Sequence, residues 1–504
     1  MPLPLPPNDP DTPRWLAGPR AAPLLLALLA VWLLATLGLR PLLLPDEGRY
    51  AEVARAMWHG DLLVPTLDGL PFFHKPPLFY WLDIAAMQLI GANEFSGRFG
   101  SALGAWLMGA ALFLALRRSH GPRVAAIALG VLATTPFFFI GGQYANHDML
   151  VGGLITAAVL ALARALEDRA RVERRWLVAG WVLCAFALLA KGLIGFVLPA
   201  LVIGPWLLAQ GRWRQLLKLL HPLALLAFVA VGAPWFVAMQ LRYPGFFDYF
   251  VMEQHFRRFA QSNFNNVHGP WFFFAVMPLL TLPWSAWLPA AVRRLWTQRD
   301  APSLLYAWWV VAIVGFFSLP SSKLVGYALP ALAPWCALLA LVIAQPQRRA
   351  WRRVMPAAAL ACVVIVAVVA WKAPNSNRAL GLALAERMAP GDRVVMVDDY
   401  LYDVPFYARL TRPVVIAGDW ADPEIPRRDN WRKEVFDAAR FDPALGRELL
   451  RPLDRLDALA CGVPAVWFIV PTGNAARVSG LAGAARSFDN TRTELWRVPG
   501  RTCP

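Results

Sequence analysis

Long apolar runs dominate the first 373 residues and leave few folds open to this chain. A helix crosses the hydrocarbon core of a bilayer with about 20 mostly apolar residues. Eleven runs come near that length, and they lie at 21–43, 97–117, 123–141, 149–166, 176–190, 193–209, 219–240, 271–295, 302–319, 324–344 and 354–372. Over the whole chain 58% of residues are hydrophobic and 16% are charged, whereas soluble proteins average about 45–50% and 25%. A soluble enzyme is therefore excluded, and we predict a mainly α-helical, polytopic membrane protein with about 11–13 spans.

The positive charge of the chain is concentrated in short loops between these runs. The net charge is +16, and the basic loops lie at 117–123, 169–175, 212–218, 293–299 and 348–353. Basic loops stay on the cytoplasmic side of a membrane, so the N-terminus is predicted to be cytoplasmic. Four loops are then predicted to lie outside, together with everything after 373: 44–96, 142–148, 241–270 and 320–323. Nucleic-acid binding needs a basic face on a folded domain, so we expect no nucleic-acid partner.

Three segments need a separate interpretation. The first run has no small-residue cleavage site, so we interpret it as a retained span and not as a removed signal peptide. Residues 77–92 are apolar but short, with Asp83 in the middle, and we predict an interfacial helix on the outer surface. The runs 176–190 and 193–209 are separated only by Lys191 and Gly192, which fits either a tight pair of spans or one re-entrant unit.

The last quarter of the chain has the pattern of a soluble domain. Short strand patterns occur at 391–399, 412–419, 464–471 and 493–499, with helical patterns at 431–440 and 444–459. Alternating strands and helices predict a small, partly parallel α/β sheet. We therefore divide the chain into a transmembrane domain, 1–373, and an extracytoplasmic α/β domain, 374–504. The second domain holds two cysteines, Cys461 and Cys503, which an oxidising compartment would allow to form a disulfide.

The first outer loop carries the most informative acidic residues. It begins PDEGRYAEVARAMWHGD at 45–61, with Asp46, Glu47 and Arg49 directly after an apolar run. One interpretation is structural, because Asp is a favoured N-cap and Pro45 suits a helix start. The other is functional, because acidic groups beside a membrane span are costly unless they are used. The residues alone leave both interpretations open.

Lysine is rare in this chain, which makes its positions informative. Six of the 49 basic residues are lysine, and three of them, Lys75, Lys191 and Lys323, fall at predicted outer ends of spans or loops. Snorkelling toward the interface explains any one of them. Three on one face favour an anion held at the membrane surface, since lysine binds phosphate as a compact point charge.

Two further outer segments supply polar groups. Asp148 opens the fourth run, where it could either cap a helix or act with Asp46 as an acid–base pair. His147 beside it suggests a divalent metal, although the sequence fixes no third ligand. In the longest outer loop His255 and Arg258 share a helical face, so this stretch is either a solvated cap or part of a site.

The order of these motifs resembles a known family. PDEGRYAE is followed by FHKPP, by an Asp that opens a later span, by AKG, by H-x-x-R-F from His255 to Phe259 and by S-K-x-x-x-Y-x-L-P from Ser322 to Pro330. This order is similar to that of the family 39 membrane glycosyltransferases, which take a sugar from a polyprenyl phosphate. It is most similar to the bacterial aminoarabinose–lipid A transferases (ArnT-type), relatives of the protein O-mannosyltransferases. The similarity runs through about the first 340 residues.

The resemblance implies a GT-C type fold and assigns roles to single residues. Asp46 matches the family's catalytic acid and Asp148 its second acid. Lys75 and Arg258 match the groups that hold the carrier phosphate. Further site residues of the family match Arg49, Lys323 and Tyr327, and Glu47, His74 and His255 are additional candidates. His74 is a departure, because the aminoarabinose transferases usually carry Glu directly before the lysine of the KP motif.

The function implied by the resemblance is sugar transfer at the outer face of a bacterial inner membrane. The donor is an undecaprenyl phosphate sugar, with 4-amino-4-deoxy-L-arabinose expected, and the acceptor is lipid A or another envelope glycolipid. A protein acceptor is one alternative. A polyprenyl-lipid transporter is another, but transporters place charges near the bilayer midplane, whereas the ionisable groups here cluster in the outer loops. The sequence implies no cofactor and leaves a divalent metal open.

The topology can be tested with reporters. Because the predicted number of spans is odd, a reporter that is active only outside the cytoplasm should be active when it is fused after Pro504. A reporter that needs the cytoplasm should be silent at the same position. The reverse pattern would place the C-terminal domain inside the cell and contradict the topology.

Overall fold

The computed structural model describes residues 12–257, 266–298, 300–345, 347, 349–373 and 375–503. Within these residues the chain is mainly helical, with a six-stranded sheet near the C-terminus. The predicted site residue Arg258 lies outside the described residues, and so does the side chain of His255. Their predicted roles therefore stay predictions.

Helices form along the apolar runs because Leu, Ala and Met favour the helical backbone. Up to residue 257 the α-helices are α1 (Arg14–Ala17), α2 (Ala21–Leu34), α3 (Asp46–His59), α4 (Leu78–Ile90), α5 (Phe99–Ser119), α6 (Gly121–Ala133), α7 (Pro136–Gln143), α8 (His147–Ala165), α9 (Arg174–Lys191), α10 (Ile194–Ala209), α11 (Trp213–Lys218) and α12 (Pro222–Arg242). A small hairpin of β1 (Thr66–Leu67) and β2 (Leu70–Pro71) follows α3. A π-helix, Asp248–Arg257, follows α12.

The remaining helices of the apolar part follow the same pattern. They are α13 (Phe272–Leu280), α14 (Leu288–Thr297), α15 (Ala301–Ser318), α16 (Leu332–Ile343) and α17 (Trp351–Lys372). Two 3₁₀ helices, Trp284–Trp287 and Val325–Ala331, lead directly into α14 and α16.

Six helical segments of the described chain are long and apolar enough to cross a membrane, and two bent pairs raise the number to eight. The six are Ser96–Ser119, His147–Ala165, Pro222–Arg242, Ala301–Ser318, Val325–Ile343 and Trp351–Lys372. The bent pairs are α6 with α7, at 63°, and α13 with Trp284–Thr297, at 108°. Each of the eleven predicted runs contains a helix. Helices α2 and α10 are too short to cross a membrane, and α9 carries three basic residues, so these three helices are not counted as spans. Helix length and composition thus support six to eight spans in the described chain, fewer than the predicted 11–13.

Helices α9 and α10 are joined by a tight turn. Gly192 in this turn has a φ of 86°, a backbone conformation that glycine adopts without strain. A Cβ on Gly195 would overlap the backbone of Ala187 and Leu188. The two helices are therefore in direct contact at this end, as both a tight pair of spans and a re-entrant unit require.

Helix α8 lies at the centre of the helical part, in contact with α5 and α9. Most of α8 is buried, whereas α17 exposes most of its surface. Small residues allow α5 and α8 to approach closely, because a Cβ on Gly153 would overlap the carbonyl oxygen of Gly104. This contact fixes the start of α8, where Asp148 lies.

Helix α4 coincides with the predicted interfacial helix, and its packing explains the acidic residue in an apolar segment. Asp83 is fully buried and its Oδ1 accepts a hydrogen bond from the backbone N–H of Gly100 at 2.8 Å. Gly100 stands at the beginning of α5, where backbone N–H groups have no partner within the helix. Asp83 therefore connects α4 to the start of the next helix.

The C-terminal sheet has the strand order β5-β4-β3-β6-β8-β7. Its strands are β3 (Arg393–Val397), β4 (Val415–Ala417), β5 (Leu450–Arg451), β6 (Ala465–Pro471), β7 (Ala485–Asp489) and β8 (Thr493–Pro499). β3, β4, β5 and β6 are parallel, and β8 and β7 are added antiparallel. The four predicted strands are confirmed as β3, β4, β6 and β8. β3 and β6 are almost continuously buried, as strands inside a parallel sheet are.

Helices of this part surround the sheet. They are α18 (Arg378–Arg387), α19 (Asp403–Tyr407), α20 (Trp431–Ala439), α21 (Pro443–Leu449) and α22 (Ala476–Ser479). The helix predicted over 444–459 is wrong beyond Leu449, because Leu450 and Arg451 pair with β4 and Pro452 has no N–H to continue a helix. Cys461 and Cys503 form a disulfide with their Cα atoms 5.4 Å apart, which confirms the predicted pairing.

The C-terminal part packs directly on α3. Helix α19 follows β3 and touches α3 so closely that a Cβ on Gly48 would lie 2.8 Å from the Cβ of Asp403. The hydroxyl of Tyr407 accepts a hydrogen bond from the backbone N–H of Leu42 at 2.7 Å. The first outer loop is therefore enclosed between the membrane helices and the C-terminal sheet.

The glycine contact between α5 and α8 can be tested by adding a single methyl group. Gly153→Ala should destabilise the purified protein by about 1–3 kcal/mol, because overpacking forces the two helices apart. The measurement is thermal unfolding in detergent. Gly315→Ala is the control, since Gly315 also lies in an apolar helix but a Cβ there meets nothing within 4 Å. Equal stability of the two variants would contradict the close contact.

Candidate active site

Asp46 is the first residue of α3 but does not cap it. Pro45 occupies the N-cap position and no side chain caps the helix, so the capping interpretation is wrong. The Asp46 carboxylate instead accepts hydrogen bonds from Arg49 at 2.5 Å and from the side-chain amide of Asn146 at 3.1 Å. The side chain keeps 27% of its surface exposed, which leaves it accessible to a substrate.

Asp148 lies in the first turn of α8 and is connected to Asp46 through Asn146. The side-chain oxygen of Asn146 caps α8 by accepting a hydrogen bond from the backbone N–H of Asp148 at 2.9 Å. The NH2 group of the same side chain donates to Asp46. Asn146 therefore connects the Asp46 carboxylate to the first turn of α8, which carries Asp148.

Asn146 is a residue of this cluster that the sequence analysis missed. A local signal was present, because Asn is among the strongest N-caps and stands directly before an apolar helix. That signal predicts the bond to α8. It cannot predict the bond to Asp46, which lies 100 residues earlier in the chain.

The carboxylate of Asp148 forms an ion pair with Lys191, the last residue of α9. The ammonium group of Lys191 also lies 4.9 Å from the ring centroid of Tyr327, within the range of a cation–π interaction. Gly326 touches Asp148 so closely that a Cβ there would overlap the carboxylate. The motif that contains Tyr327 is thus brought to the second acid, as the sequence resemblance implies.

Lys75 lies in the segment between the small hairpin and α4. Its Nζ donates to the carbonyl oxygen of His74 at 3.2 Å. The ring of His74 stacks on Phe72 with centroids 4.4 Å apart. Pro76 and Pro77 follow, and Pro77 is the N-cap of α4. Because proline fixes φ, the backbone after Lys75 is restricted and the lysine is held near the site.

Three of the predicted cations converge. Lys75, Lys191 and Arg49 all lie within electrostatic range of the His147 ring. They come from three separate segments, namely the FHKPP motif, the end of α9 and the first turn of α3. Arg49 is paired with Asp46 and Lys191 with Asp148. These three cations and two acids form what we call the acid–cation cluster.

His147 itself is a packing residue. Its ring is fully buried and lies 4.5–5.2 Å, centroid to centroid, from the rings of Tyr50, Phe79 and Tyr80. Neither ring nitrogen makes a hydrogen bond to the described residues. Over the described part of the chain, no group of three or more His, Cys, Asp or Glu side chains is placed to hold a metal ion.

Glu47 is fully buried beside the acid–cation cluster and is saturated by hydrogen bonds. It forms ion pairs with Arg40 and Arg98. Its oxygens also accept the backbone N–H groups of Leu43 at 3.0 Å and Ala145 at 2.9 Å. Burial alone would raise the pKa of Glu47, but the Arg98 and Arg40 guanidinium groups outweigh it and lower that pKa to about 2. This environment favours a structural role over contact with a substrate.

Lys323 has a different environment from the other two outer lysines. It is 2% exposed, and its ammonium group donates to the carbonyl oxygens of His268, at 2.8 Å, and Pro320. Its backbone N–H bonds to the carbonyl of Asn266 at 3.0 Å. These bonds connect two outer segments, so its predicted role in binding a substrate stays a prediction.

Comparison with solved structures identifies the fold. ArnT from Cupriavidus metallidurans, in a crystal structure bound to undecaprenyl phosphate, superposes with a TM-score of 0.80 at 23% sequence identity, covering 94% of this chain and 97% of that one. The chain has the ArnT fold. The archaeal oligosaccharyltransferase AglB from Archaeoglobus fulgidus is a more distant match, with a TM-score of 0.53 at 14% identity over 90% of this chain and 69% of that chain. The prediction of a GT-C type, mainly helical membrane fold with a C-terminal α/β part is confirmed.

Sequence comparison finds relatives in several bacteria that carry the same enzyme name. An undecaprenyl phosphate-alpha-4-amino-4-deoxy-L-arabinose arabinosyl transferase from Erwinia tasmaniensis is 34% identical over 319 residues, which are 62% of this chain and 57% of the relative. The enzyme of that name from Aeromonas hydrophila is 33% identical over 347 residues, which are 66% of this chain and 63% of the relative. The chain thus spans less than two thirds of the length of these curated relatives.

A family model also matches one part of the chain. Residues 74–237 match the model described as dolichyl-phosphate-mannose-protein mannosyltransferase. This range contains Lys75, Asp148 and Lys191, whereas Asp46 precedes it. The family model therefore covers three residues of the acid–cation cluster and does not reach Asp46 or Arg49.

Asp46 is the residue of this cluster that we expect to tolerate change least. Asp46→Asn keeps the size of the side chain and one oxygen that can accept the bond from Arg49, but it removes the negative charge and the second oxygen that accepts from Asn146. If the protein catalyses the sugar transfer that the resemblance implies, transfer should fall by about 100-fold or more, the usual size of an acid–base contribution, while thermal stability is kept. Asp61→Asn is the control, because Asp61 is an exposed acid of the same outer loop that pairs with Arg242. Normal transfer by Asp46→Asn would exclude a catalytic role for its charge.

Proposed function

We propose that the protein transfers a sugar from a polyprenyl phosphate to an acceptor at the outer face of a bacterial inner membrane. The sugar is 4-amino-4-deoxy-L-arabinose, the carrier is undecaprenyl phosphate and the acceptor is lipid A or a similar glycolipid. The N-terminus is cytoplasmic and the α/β domain, 374–504, lies in the periplasm. Three findings support this proposal: the ArnT fold, the similarity to named arabinosyl transferases and the composition of the acid–cation cluster.

The observation that carries the proposal is the acid–cation cluster. Asn146 bonds to the Asp46 carboxylate and to the backbone N–H of Asp148. Arg49 pairs with Asp46 and Lys191 with Asp148, while Lys75 acts electrostatically on His147, the neighbour of Asp148. Transfer from a lipid phosphate needs cations for the leaving phosphate and an acid to orient the acceptor. A cluster of both kinds at the ends of apolar helices suits a reaction between two membrane-anchored substrates.

The proposed reaction is a single displacement. An oxygen of the acceptor attacks the anomeric carbon of the sugar, the bond from that carbon to the carrier phosphate oxygen breaks, and the phosphate leaves as an anion. Lys75 stabilises the phosphate charge as it develops. If the acceptor is a hydroxyl, Asp46 accepts its proton. If the acceptor is a phosphate, which is already ionised, Asp46 positions it instead.

Asp148 has a supporting role in this proposal. Its carboxylate is paired with Lys191, so it fixes the lysine on the side of the cluster that faces Tyr327. Arg49 holds Asp46 in the same way from α3. Asp46, which is partly exposed, is thereby the acid that remains accessible to the acceptor.

A protein acceptor is the second candidate. The family model that covers 74–237 describes protein mannosyltransferases, and the same cluster would serve a serine or threonine hydroxyl. A polyprenyl-lipid transporter is a third, which would move the donor without breaking the bond between sugar and phosphate.

The proposal can be tested with purified protein in lipid nanodiscs. Undecaprenyl phosphate-aminoarabinose and lipid A are supplied, and mass spectrometry follows both lipids. We expect lipid A to gain one aminoarabinose and free undecaprenyl phosphate to appear, with Asp46→Asn as the inactive control. An unchanged donor would contradict the proposal, and glycosylation of a protein in place of lipid A would favour the second candidate.

The role of Lys75 gives a further prediction. Lys75→Ala should weaken donor binding by about 10- to 100-fold, because it removes one charged contact to the phosphate. Lys75→Arg should also be impaired, since a planar fork does not replace a compact ammonium group. Loss of Lys75 and Arg258 together should cost less than the sum of the single losses if both hold one phosphate.

The matched control for this prediction is Lys372→Ala. Lys372 is an exposed lysine at the end of α17, and its loss should leave donor binding unchanged. Binding of undecaprenyl phosphate is measured directly, without the reaction. Unchanged binding by Lys75→Ala would mean that Lys75 only snorkels to the interface.

A further inference from the structure

One short segment of the C-terminal part touches three separate outer segments of the membrane part. This 431–441 segment consists of α20 and the two residues after it. Its contacts are made by Lys433, Glu434 and Phe441. They reach α3, the π-helix Asp248–Arg257 and the residue before His74.

Glu434 makes the contact that reaches the acid–cation cluster. One carboxylate oxygen accepts a hydrogen bond from Arg49 in a buried ion pair. The other accepts a hydrogen bond from the hydroxyl group of Tyr402 at 2.6 Å. Burial, and then the Glu434 carboxylate, raise the pKa of Tyr402 well above its usual value, so the phenol stays neutral and keeps donating. Both oxygens of Glu434 are therefore fixed.

The local structure around Glu434 is rigid. Asn430 caps α20 and accepts the backbone N–H groups of Arg432 and Lys433 at 3.0 and 3.2 Å. Lys433 forms ion pairs with Asp437 on the same helix, at 2.7 Å, and with Glu253 of the π-helix, at 3.3 Å. The first turn of α20 is thus held by the Asn430 cap at its start and by the two ion pairs of Lys433.

Phe441 adds an apolar contact on the other side. Its ring packs edge-on against Phe73, with centroids 4.9 Å apart, and against Tyr249, at 5.4 Å. Phe73 directly precedes His74 and Lys75 in the FHKPP motif. The 431–441 segment therefore contacts the segments that carry both Arg49 and Lys75.

Arg49 stands between two carboxylates and uses different nitrogens for each. One terminal nitrogen bonds to Glu434 and the other to Asp46. An arginine with a single carboxylate partner forms a two-pronged pair that occupies both oxygens. With Glu434 in place, only one oxygen of Asp46 bonds to Arg49, and the other bonds to Asn146.

We infer that Glu434 is a positioning residue for the reaction, supplied to the active site by the C-terminal domain. It holds one side of the Arg49 guanidinium group, so that Arg49 orients Asp46 without covering it. Tyr402 fixes Glu434 in turn. This inference rests on the proposed function, because it assigns Asp46 to the acceptor.

The test separates turnover from donor binding. Glu434→Gln keeps the shape of the side chain and an oxygen for Tyr402, but it removes the charge that holds Arg49. We expect kcat to fall by about 10- to 100-fold, the size of one charged hydrogen bond. KM for the donor lipid should change by less than about threefold, because Lys75 still holds the phosphate. Glu424→Gln is the control, since Glu424 is an exposed acid of the same domain that pairs with Arg427 and Arg428.

A double variant decides whether Glu434 acts through Arg49. In the Arg49→Ala background, Glu434→Gln should cause no further loss of kcat, because residues that act as one unit are not additive. Additive losses would overturn the inference. Glu434→Asp should be more active than Glu434→Gln, because it keeps the negative charge. If only the length of the side chain mattered, the order would be the reverse.

A second variant covers the case in which Glu434→Gln fails to fold. Tyr402→Phe keeps both charges and removes only the hydroxyl that fixes Glu434, and it should lower kcat by about three- to tenfold. If the wild-type protein is active and both Tyr402→Phe and Glu434→Gln keep its full activity, the positioning role of Glu434 is overturned and the proposed function stands. An inactive wild-type protein overturns the proposed function, and the positioning role with it.

Discussion

The buried carboxylate of Glu47 joins the parts of the chain from which the site is built. Arg40 after α2, Arg98 before α5 and the backbone N–H of Ala145 all bond to this one side chain. Two neighbours of these groups, Asp46 and Asn146, are thereby placed within hydrogen-bond distance. Removing one partner of a buried ion pair costs about 3–5 kcal/mol, so the position of Asp46 depends on a residue that need not touch any substrate.

The C-terminal sheet uses its carboxyl edge to complete this arrangement. In open α/β sheets the carboxyl ends of parallel strands commonly form a ligand crevice. Here the chain leaves β3 at that edge and forms α19, which packs on α3 at Gly48. Tyr402 follows the same strand and meets Glu434 and Arg49. The edge is thus occupied by the first outer loop, and the two parts of the chain form one site between them.

Much of the fold and part of the site were predictable from the sequence. The apolar runs became helices, four strands were placed correctly, and Cys461 and Cys503 pair as expected. Asp46, Asp148 and Lys75 were selected by residue type and motif, and their roles stay predictions. The structure connects the Asp46 carboxylate through Asn146 to the first turn of α8, which carries Asp148. The capping role of Asp46 was wrong, because cap preferences describe the local chain and the nearest donors, Arg49 and Asn146, compete for the carboxylate.

The sequence by itself determined which segments form apolar helices, where four of the six strands of the C-terminal sheet lie and which loops carry ionisable groups. Hydrophobicity and its periodicity act over about ten to twenty residues, so they are legible along the chain. Only the tertiary structure decided which charges meet. Arg49 and Glu434 are 385 residues apart, and Asp46 and Asn146 are 100 apart. Such pairs form because a buried charge has lost its contact with water and is costly unless another group binds it. The packing of α3, α8 and α20 decides which group lies beside each charge.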